Sequence, residues 1–294
     1  MQKETNEWTI ASTLSWTSNY FARSRIARPR LEAELLLSHA LHLPRLELTL
    51  KLNEVIPPKD LHRYRSLISA RKSRKPIAYI LGEQEFMGMR FRVNEHTLIP
   101  RPETEHLVEE TLQLIKGKTG LLLADIGTGC GNIAVSLAKS AAGCRVYATD
   151  ISREALAVTH ENISAHGCAA QVLAKLGDLF AALSQEHVHN KLDIIISNPP
   201  YIALDEEPSL EPEVLCEPRH ALFGGADGLD FYRRIAREGK PFLKNDGVMA
   251  LEMHSGKSGL IGGIFLGEGF EIIKITKDYA GLDRVIIVKA IHHG

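Results

Sequence analysis

The chain of 294 residues has only four cysteines, and their spacing forms no recognisable pairing or metal-binding pattern. Cys130, Cys144, Cys168 and Cys216 include no C-x-x-C pair, which argues against a disulfide framework and against a zinc site. Free thiols of this kind are typical of a reducing compartment. The sequence therefore predicts a cytoplasmic protein without a metal centre.

Long apolar runs are also missing. No run approaches the roughly 20 residues that a transmembrane helix needs, and residues 1–7 contain no apolar core of a secretion signal. These two absences argue against helical membrane spans and against export. We therefore expect no membrane partner.

The net charge of −1 hides an uneven distribution. Residues 1–75 carry 14 Lys and Arg against 7 Asp and Glu, whereas the rest of the chain carries 21 against 29. A basic first quarter indicates an acidic partner surface or nucleic acid nearby, although a solvated basic helix face gives the same pattern.

The apolar periodicity predicts a small helical domain followed by a larger α/β domain. Residues 1–80 are interpreted as a helical bundle, with Pro44 ending one helix and Pro57-Pro58 beginning another. Residues 81–101 are predicted to form a β-hairpin linker, and residues 102–294 the second domain.

From residue 121 onward, predicted strands and helices alternate. This alternation is typical of an α/β fold with a mostly parallel sheet that is covered on both faces. Seven strands are predicted, at residues 121–125, 145–150, 171–176, 192–197, 248–253, 272–276 and 284–289. Because no helix separates the last two, one of them should run antiparallel.

The most informative motif follows the predicted strand 192–197 and reads Asn198-Pro199-Pro200-Tyr201. Two successive prolines fix φ and supply no backbone N–H, so the segment cannot extend a sheet ladder. The Asn198 amide oxygen and a neighbouring backbone carbonyl could together accept both hydrogens of a planar –NH2 group. A plain strand-terminating turn remains the alternative interpretation of these four residues.

A glycine-rich segment follows the first predicted strand, with Gly127, Gly129 and Gly131 placed after Asp125. Its spacing differs from the dinucleotide pattern G-x-G-x-x-G, and a carboxylate at position 125 would repel a pyrophosphate. Asp150 ends the next strand, where an acid commonly binds the hydroxyls of a ribose. S-adenosylmethionine, which has a ribose and cationic groups but no phosphate, fits this pattern, although a glycine-rich turn without a ligand is the alternative.

Several stretches together resemble a known family. Residues 125–131 and 198–201 resemble the cofactor and target-nitrogen motifs of class I methyltransferases that act on amino groups. Residues 74–82, 97–105 and 217–225 narrow the resemblance to the peptide chain release factor glutamine N5-methyltransferases, the HemK/PrmC family. The resemblance extends from about residue 20 to the end of the chain.

The resemblance implies a class I, Rossmann-like methyltransferase domain that uses S-adenosylmethionine and releases S-adenosylhomocysteine. The implied substrate is the side-chain amide of the glutamine in the Gly-Gly-Gln tripeptide of class-1 release factors, which the helical domain would hold. The implied cofactor contacts are Gly127, Thr128, Gly129, Cys130, Gly131, Asp150, Leu179 and Asn198, and the charge argument adds Asp125 as a further expected contact. The implied glutamine contacts are Asn198, Pro199, Pro200 and Tyr201.

The expected chemistry assigns catalytic roles to Asn198, Pro199 and Tyr201. The Asn198 side-chain oxygen and the Pro199 carbonyl would each accept one N–H of the substrate amide, while Tyr201 packs against the substrate side chain or the sulfonium methyl. Two rival interpretations stay open at this stage: a DNA adenine-N6 methyltransferase, and a binding module without catalytic activity. The acidic second domain argues against a DNA groove, so we expect no direct nucleic-acid substrate. We also expect a monomer.

Overall fold

The structure, a computed structural model, describes residues 7–141 and 143–291. The chain divides into two compact units, Met1–Gly82 and Glu83–Gly294. Within the described residues, no helix is both long enough and apolar enough to span a bilayer.

The first unit is the predicted helical bundle. Its helices are α1 (Ile10–Arg23), α2 (Pro29–Leu41), α3 (Arg45–Leu50), α4 (Pro58–Lys72) and α5 (Ile77–Leu81). Proline at the first position begins α2 and α4, where a missing N–H costs nothing. Buried apolar side chains from α1, α2 and α4 form one core, and within it the Tyr64 hydroxyl donates to the Ala33 carbonyl over 3.1 Å.

The second unit opens with the predicted β-hairpin, formed by β1 (Glu83–Phe86) and β2 (Met89–Arg92). Met87 and Gly88 connect the strands, and both have positive φ, at 51° and 70°. Two successive left-handed residues make the tight turn whose twist matches an antiparallel pair. The hairpin belongs to the second unit; its role as a linker stays a prediction.

A seven-stranded sheet forms the centre of the second unit. Its strands are β3 (Leu122–Ile126), β4 (Arg145–Asp150), β5 (Val172–Leu176), β6 (Leu192–Ser197), β7 (Leu243–Glu252), β8 (Phe270–Lys277) and β9 (Asp283–Ala290). The strand order is β5-β4-β3-β6-β7-β9-β8. The first five strands are parallel, and β9 pairs antiparallel with both β7 and β8. The predicted fold and its single antiparallel strand are therefore confirmed.

Helices connect most of the strands. They are α6 (Glu105–Ile115), α7 (Asn132–Ser140), α8 (Arg153–Ala165), α9 (Arg219–Leu222), α10 (Asp230–Gly239) and α11 (Ser258–Gly267). The strand order reverses between β3 and β6, which are neighbours in the sheet although β4 and β5 lie between them in sequence. In open α/β sheets, ligands bind beyond the carboxyl ends of the strands at such a reversal.

Candidate active site

A cavity of about 210 Å³ lies at this reversal, and we call it the switch-point cavity. The carboxyl ends of β3, β4, β5 and β6 all contribute residues to its wall. Among its lining residues are Gly127, Gly129, Asp150, Ile151, Asp178, Leu179, Asn198, Pro199, Pro200 and Phe231. The topology therefore brings the predicted cofactor motif and the predicted target-nitrogen motif to one site.

The glycine loop, residues 127–131, needs its glycines for two different reasons. Gly127, Gly129 and Gly131 all have positive φ, between 57° and 83°, which side chains with a Cβ rarely adopt. A Cβ on Gly131 would lie 2.9 Å from the Thr159 methyl group, whereas Gly127 and Gly129 face open space. Gly131 thus permits close packing inside the protein, while the other two leave room in the cavity for a ligand.

Asp125 lies beneath the glycine loop and is fully buried. Its Oδ2 accepts hydrogen bonds from the Thr128 hydroxyl at 2.6 Å and from the Ala134 N–H at 3.2 Å. Burial raises its pKa from 3.8 to about 7. Its Oδ1 is buried and has no hydrogen-bond partner among the described residues. Asp125 is absent from the lining of the switch-point cavity, so its direct role is to hold the loop in shape.

Asp150 stands at the edge of the switch-point cavity. Its Oδ2 accepts from the Gly129 N–H at 2.8 Å, and its Oδ1 accepts from the Ser152 N–H at 2.9 Å. Burial raises the pKa of this carboxyl, although the two backbone donors act against that rise. Each oxygen keeps a further lone pair that can accept from a ligand hydroxyl.

An apolar wall lies beside Asp150. Leu179 is almost buried and has a φ of +46°, while Ile151 is 60% exposed and lines the cavity. Phe231 adds an aromatic ring from α10. An exposed isoleucine next to a carboxylate and an aromatic ring is an arrangement suited to a flat heterocycle.

Asp178 is held by the protein itself. Its two oxygens accept from the guanidinium nitrogens of Arg234 at 3.1 and 2.9 Å. Arg234 also binds Glu238, at 2.9 Å. Asp178 therefore contributes a fixed polar edge to the cavity rather than an unpaired charge.

Asn198 begins the Asn-Pro-Pro-Tyr turn, residues 198–201. Its Nδ2 donates to the Thr104 hydroxyl over 3.1 Å. Among the described residues, neither its Oδ1 nor the Pro199 carbonyl oxygen accepts a hydrogen bond. Two adjacent acceptors, on residues that line the switch-point cavity, are thus left unused by the described residues.

Tyr201 lies on the other side of the turn. Its hydroxyl donates to Glu252 Oε1 over 3.2 Å, and burial raises the pKa of this phenol. Its ring packs edge-on against His254, with centroids 5.6 Å apart. Tyr201 does not line the switch-point cavity. It lines a side cavity of about 210 Å³, which Pro199 and Pro200 also border.

Two stretches that carried the family resemblance meet beside this turn. Glu217, buried within residues 217–225, forms an ion pair with Arg101 and accepts from the Ile99 N–H at 2.9 Å. Both partners belong to residues 97–105. The pair fixes the segment that carries Arg101 and Thr104 next to the side cavity, which Arg101 lines.

The residues predicted to contact the cofactor or the substrate lie at several different places in the structure. Gly127, Gly129, Asp150, Leu179, Asn198, Pro199 and Pro200 line the switch-point cavity. Thr128 and Cys130 line a smaller adjoining cavity. Cys130 is buried, and burial raises its pKa to about 12, which favours the neutral thiol at neutral pH. Asp125 and Gly131 support the loop from within.

Sequence reasoning missed Ile151, Phe231, Thr104 and Glu252. Glu252 carried a usable signal, because it is a lone acid at the end of the apolar run that forms β7. Thr104 lay inside one of the stretches that carried the resemblance, without a role of its own. Ile151 and Phe231 gave no signal, since isolated apolar residues are expected on any surface.

Comparison with known proteins gives matches along most of the chain. Residues 12–82 match the family model of the PrmC N-terminal domain, and residues 104–228 match that of the methyltransferase small domain. A release factor glutamine methyltransferase of Geobacter sulfurreducens is 39% identical, over 97% of this chain and 98% of the relative. One of Moorella thermoacetica is also 39% identical, over 95% of this chain and 98% of the relative.

Solved structures with the same fold are more distant in sequence. The catalytic domain of hMettl16, in complex with a 3′UTR hairpin, aligns with a TM-score of 0.54 and 16% identity, over 77% of this chain and 82% of that one. A methyltransferase from Pyrococcus furiosus aligns with a TM-score of 0.52 and 20% identity, over 70% and 91%. These likenesses confirm the Rossmann-like methyltransferase fold.

Proposed function

The chain belongs to the release factor glutamine methyltransferase family and is a methyltransferase, and we propose that it methylates the glutamine of the Gly-Gly-Gln tripeptide in class-1 release factors. The methyl donor in this proposal is S-adenosylmethionine, and the acceptor is the side-chain amide nitrogen, N5. One observation carries this proposal: Asn198 Oδ1 and the Pro199 carbonyl, on two residues that line the switch-point cavity, accept no hydrogen bond from the described residues.

These two acceptors address the central difficulty of the reaction. An amide nitrogen is a poor nucleophile because its lone pair is delocalised into the carbonyl group. If Asn198 and Pro199 each accept one N–H, the nitrogen is fixed and its lone pair is directed toward the switch-point cavity. Positioning of this kind can contribute roughly 7–11 kcal/mol in favourable cases.

The same acceptors favour the charge that develops on the substrate nitrogen. Oxygen dipoles aimed at a developing cation stabilise it, as the donors of an oxyanion hole stabilise an anion. No side chain is required as a general base, because an N-methylated amide cation is a strong acid that loses its proton to water. Asn198 and Pro199 therefore act through geometry and fixed dipoles.

The residues of the switch-point cavity fit S-adenosylmethionine, which when bound supplies an electrophilic methyl group. Asp150 offers acceptors for the two ribose hydroxyls. Ile151, Leu179 and Phe231 provide the apolar wall for the adenine. Gly127 and Gly129 leave open space at the loop, and the loop contains no side chain that would select for a pyrophosphate.

The first unit has the charge expected of a surface that holds an acidic partner. Arg65 and Lys72, both exposed on α4, line a groove of about 390 Å³ that Trp16 also borders. Neither cation has an acidic partner among the residues that the structure describes. We infer that this face contacts the release factor, whereas the second unit modifies its glutamine.

The cysteines and the charge of residues 76–294 agree with a cytoplasmic enzyme that modifies a protein. All four cysteines are free thiols, as expected of a reducing compartment. The alternative substrate, adenine in DNA, poses the same problem of gripping an –NH2 group. The acidic balance of residues 76–294, with 21 basic against 29 acidic side chains, disfavours a phosphate backbone.

A competition assay tests this proposal. The enzyme is given S-adenosylmethionine labelled in the methyl group, together with equal amounts of a class-1 release factor and of adenine-containing duplex DNA. We expect label on the release factor, located by mass spectrometry on the glutamine of Gly-Gly-Gln. Label on the DNA, or on the release factor at another residue, would refute the proposal.

A further inference from the structure

A buried chain of hydrogen bonds begins at Asn198 and leads away from the switch-point cavity. Asn198 Nδ2 donates to Thr104 Oγ1 over 3.1 Å, and the Thr104 hydroxyl donates to Glu252 Oε2 over 2.6 Å. The other oxygen of Glu252 accepts from Tyr201 at 3.2 Å. Thr104 and Glu252 are 2% and 1% exposed, so water does not supply alternative partners.

The carboxylate fixes the direction of every bond in this chain. In its ionised form, which predominates above a pH of about 7, Glu252 accepts hydrogen bonds and cannot donate, so Thr104 must direct its only hydroxyl proton toward Glu252. The Thr104 oxygen is then left as an acceptor for Asn198. Only the –NH2 half of the Asn198 amide can occupy that position, which places Oδ1 on the opposite side.

A flipped amide would break this arrangement. With Oδ1 toward Thr104, the hydroxyl proton would have to satisfy either Asn198 or Glu252, and the other oxygen would lose its partner. A buried polar group without a partner is costly. The flipped Asn198 would also present N–H groups to the substrate amide, where the proposed reaction needs an acceptor.

We propose that Thr104 and Glu252 are positioning residues that hold the Asn198 amide with its oxygen toward the substrate. In this proposal, neither Thr104 nor Glu252 touches the substrate nitrogen. Tyr201 completes the chain, because its hydroxyl satisfies the second carboxylate oxygen and ties the end of the Asn-Pro-Pro-Tyr turn to β7. The inference rests on the proposed function, since it concerns how the same amide grip is oriented.

Matched variants of Thr104 give the kinetic test. Thr104→Val keeps the shape of the side chain but removes both the donor and the acceptor, whereas Thr104→Ser keeps both. We expect Thr104→Val to lower kcat on a release factor by about 10-fold to 100-fold, which is less than the roughly 100-fold to 1,000-fold loss on removal of a group that acts directly on the reacting atoms. The Kd for S-adenosylmethionine, measured by calorimetry, should stay within about twofold. Thr104→Ser should restore kcat to within about threefold of the original enzyme.

Glu252→Gln tests the direction in which the hydrogen bonds of this chain run. The new amide can donate to Thr104, which frees the Thr104 proton for Asn198 Oδ1 and permits the flipped orientation. We expect a loss of kcat similar to that of Thr104→Val. The double variant should have a kcat little lower than that of Thr104→Val alone, because the effects of residues that act through one chain of hydrogen bonds are not additive.

A second measurement does not depend on turnover. In the original enzyme and in Thr104→Ser, one side-chain amide proton of Asn198 should be protected from solvent exchange in NMR spectra, and Thr104→Val should remove the protection. Equal exchange in all three proteins, or a Thr104→Val enzyme with the original kcat, would overturn the positioning role. Neither result would affect the proposed function, which fails only if the original enzyme does not methylate the release factor glutamine.

Discussion

The Gly129 N–H donates a 2.8 Å hydrogen bond to Oδ2 of Asp150, so the glycine loop after β3 is tied to the end of β4. The Thr159 hydroxyl donates to the Gly129 carbonyl at 2.8 Å and holds the same glycine from α8. The acid that we assign to the ribose therefore also shapes the loop that borders the switch-point cavity. Loop and acid form one structural element.

This relationship predicts a large effect of Asp150→Ala on cofactor binding. A hydrogen bond to a charged group contributes roughly 1.5–3 kcal/mol, and tenfold in affinity corresponds to about 1.4 kcal/mol. We expect the Kd for S-adenosylmethionine to rise at least ~10-fold by calorimetry.

Ser152→Ala is the matched control for Asp150→Ala. Ser152 caps α8 by accepting from the Ala155 N–H over 3.0 Å, so its loss should lower stability by about 1 kcal/mol. It leaves the Asp150 side chain in place, and cofactor affinity should change little. Equal losses of affinity in the two variants would show that the turn, rather than the carboxylate, determines binding.

The buried carboxyl of Glu252 predicts a dependence of stability on pH. Burial raises its pKa from 4.5 to about 7, against the opposing effects of Thr104, Arg284 and Tyr201. The folded protein thus binds this proton more tightly than the unfolded chain does. The contribution to stability is present below pH 4.5 and is lost as the pH rises to about 7.

Glu252→Gln should remove this contribution. The free energy of unfolding of the original protein should fall relative to that of the variant by roughly 3 kcal/mol across this pH range. Urea unfolding at several pH values measures the difference, and Asp125 titrates equally in both proteins. Glu271→Gln, which changes an exposed carboxyl on β8, is the control. A constant difference between Glu252→Gln and the original protein would contradict the raised pKa.

If the groove lined by Arg65 and Lys72 binds the release factor, reversing these two charges should weaken that binding selectively. We expect Arg65→Glu combined with Lys72→Glu to raise the KM for the release factor about fivefold or more. The effect should shrink at high salt, because exposed charges are screened. The KM for S-adenosylmethionine should not change.

The control for this prediction is the pair Lys118→Glu and Lys191→Glu. These lysines are exposed in the second unit near the amino ends of β3 and β6, away from the carboxyl ends that form the site. If this pair raises the release factor KM as much as the groove pair does, net charge rather than the groove explains binding.

The sequence was sufficient for the order of elements and for the two loops that form the site. Apolar runs bounded by glycine, proline and polar residues predict buried strands well, because both faces of a parallel sheet are covered. β7 was an exception. It begins at Leu243, five residues before the predicted 248, because its polar start pairs with β6 across a register shift near Leu192.

Roles that depend on distant partners could not be predicted. Thr104 and Glu252 lie 148 positions apart, and Asp178 and Arg234 lie 56 apart. Nothing local to either sequence segment indicates such a pair. Asp125 was expected beside the cofactor, but the structure turns its carboxylate toward Thr128 and the first turn of α7. Local patterns identified the loops, and only the tertiary structure shows which side chains line the cavity.

The proposed reaction depends on the grip of Asn198 on the amide of a release factor glutamine. Its most direct test is the rate at which methyl groups from S-adenosylmethionine appear on the Gly-Gly-Gln peptide, followed by mass spectrometry for the original enzyme and for Asn198→Ala. We expect the variant to remain folded, to bind S-adenosylmethionine with altered affinity at most, and to transfer methyl groups at least ~100-fold more slowly. Turnover of the release factor by Asn198→Ala near the original rate would contradict this expectation.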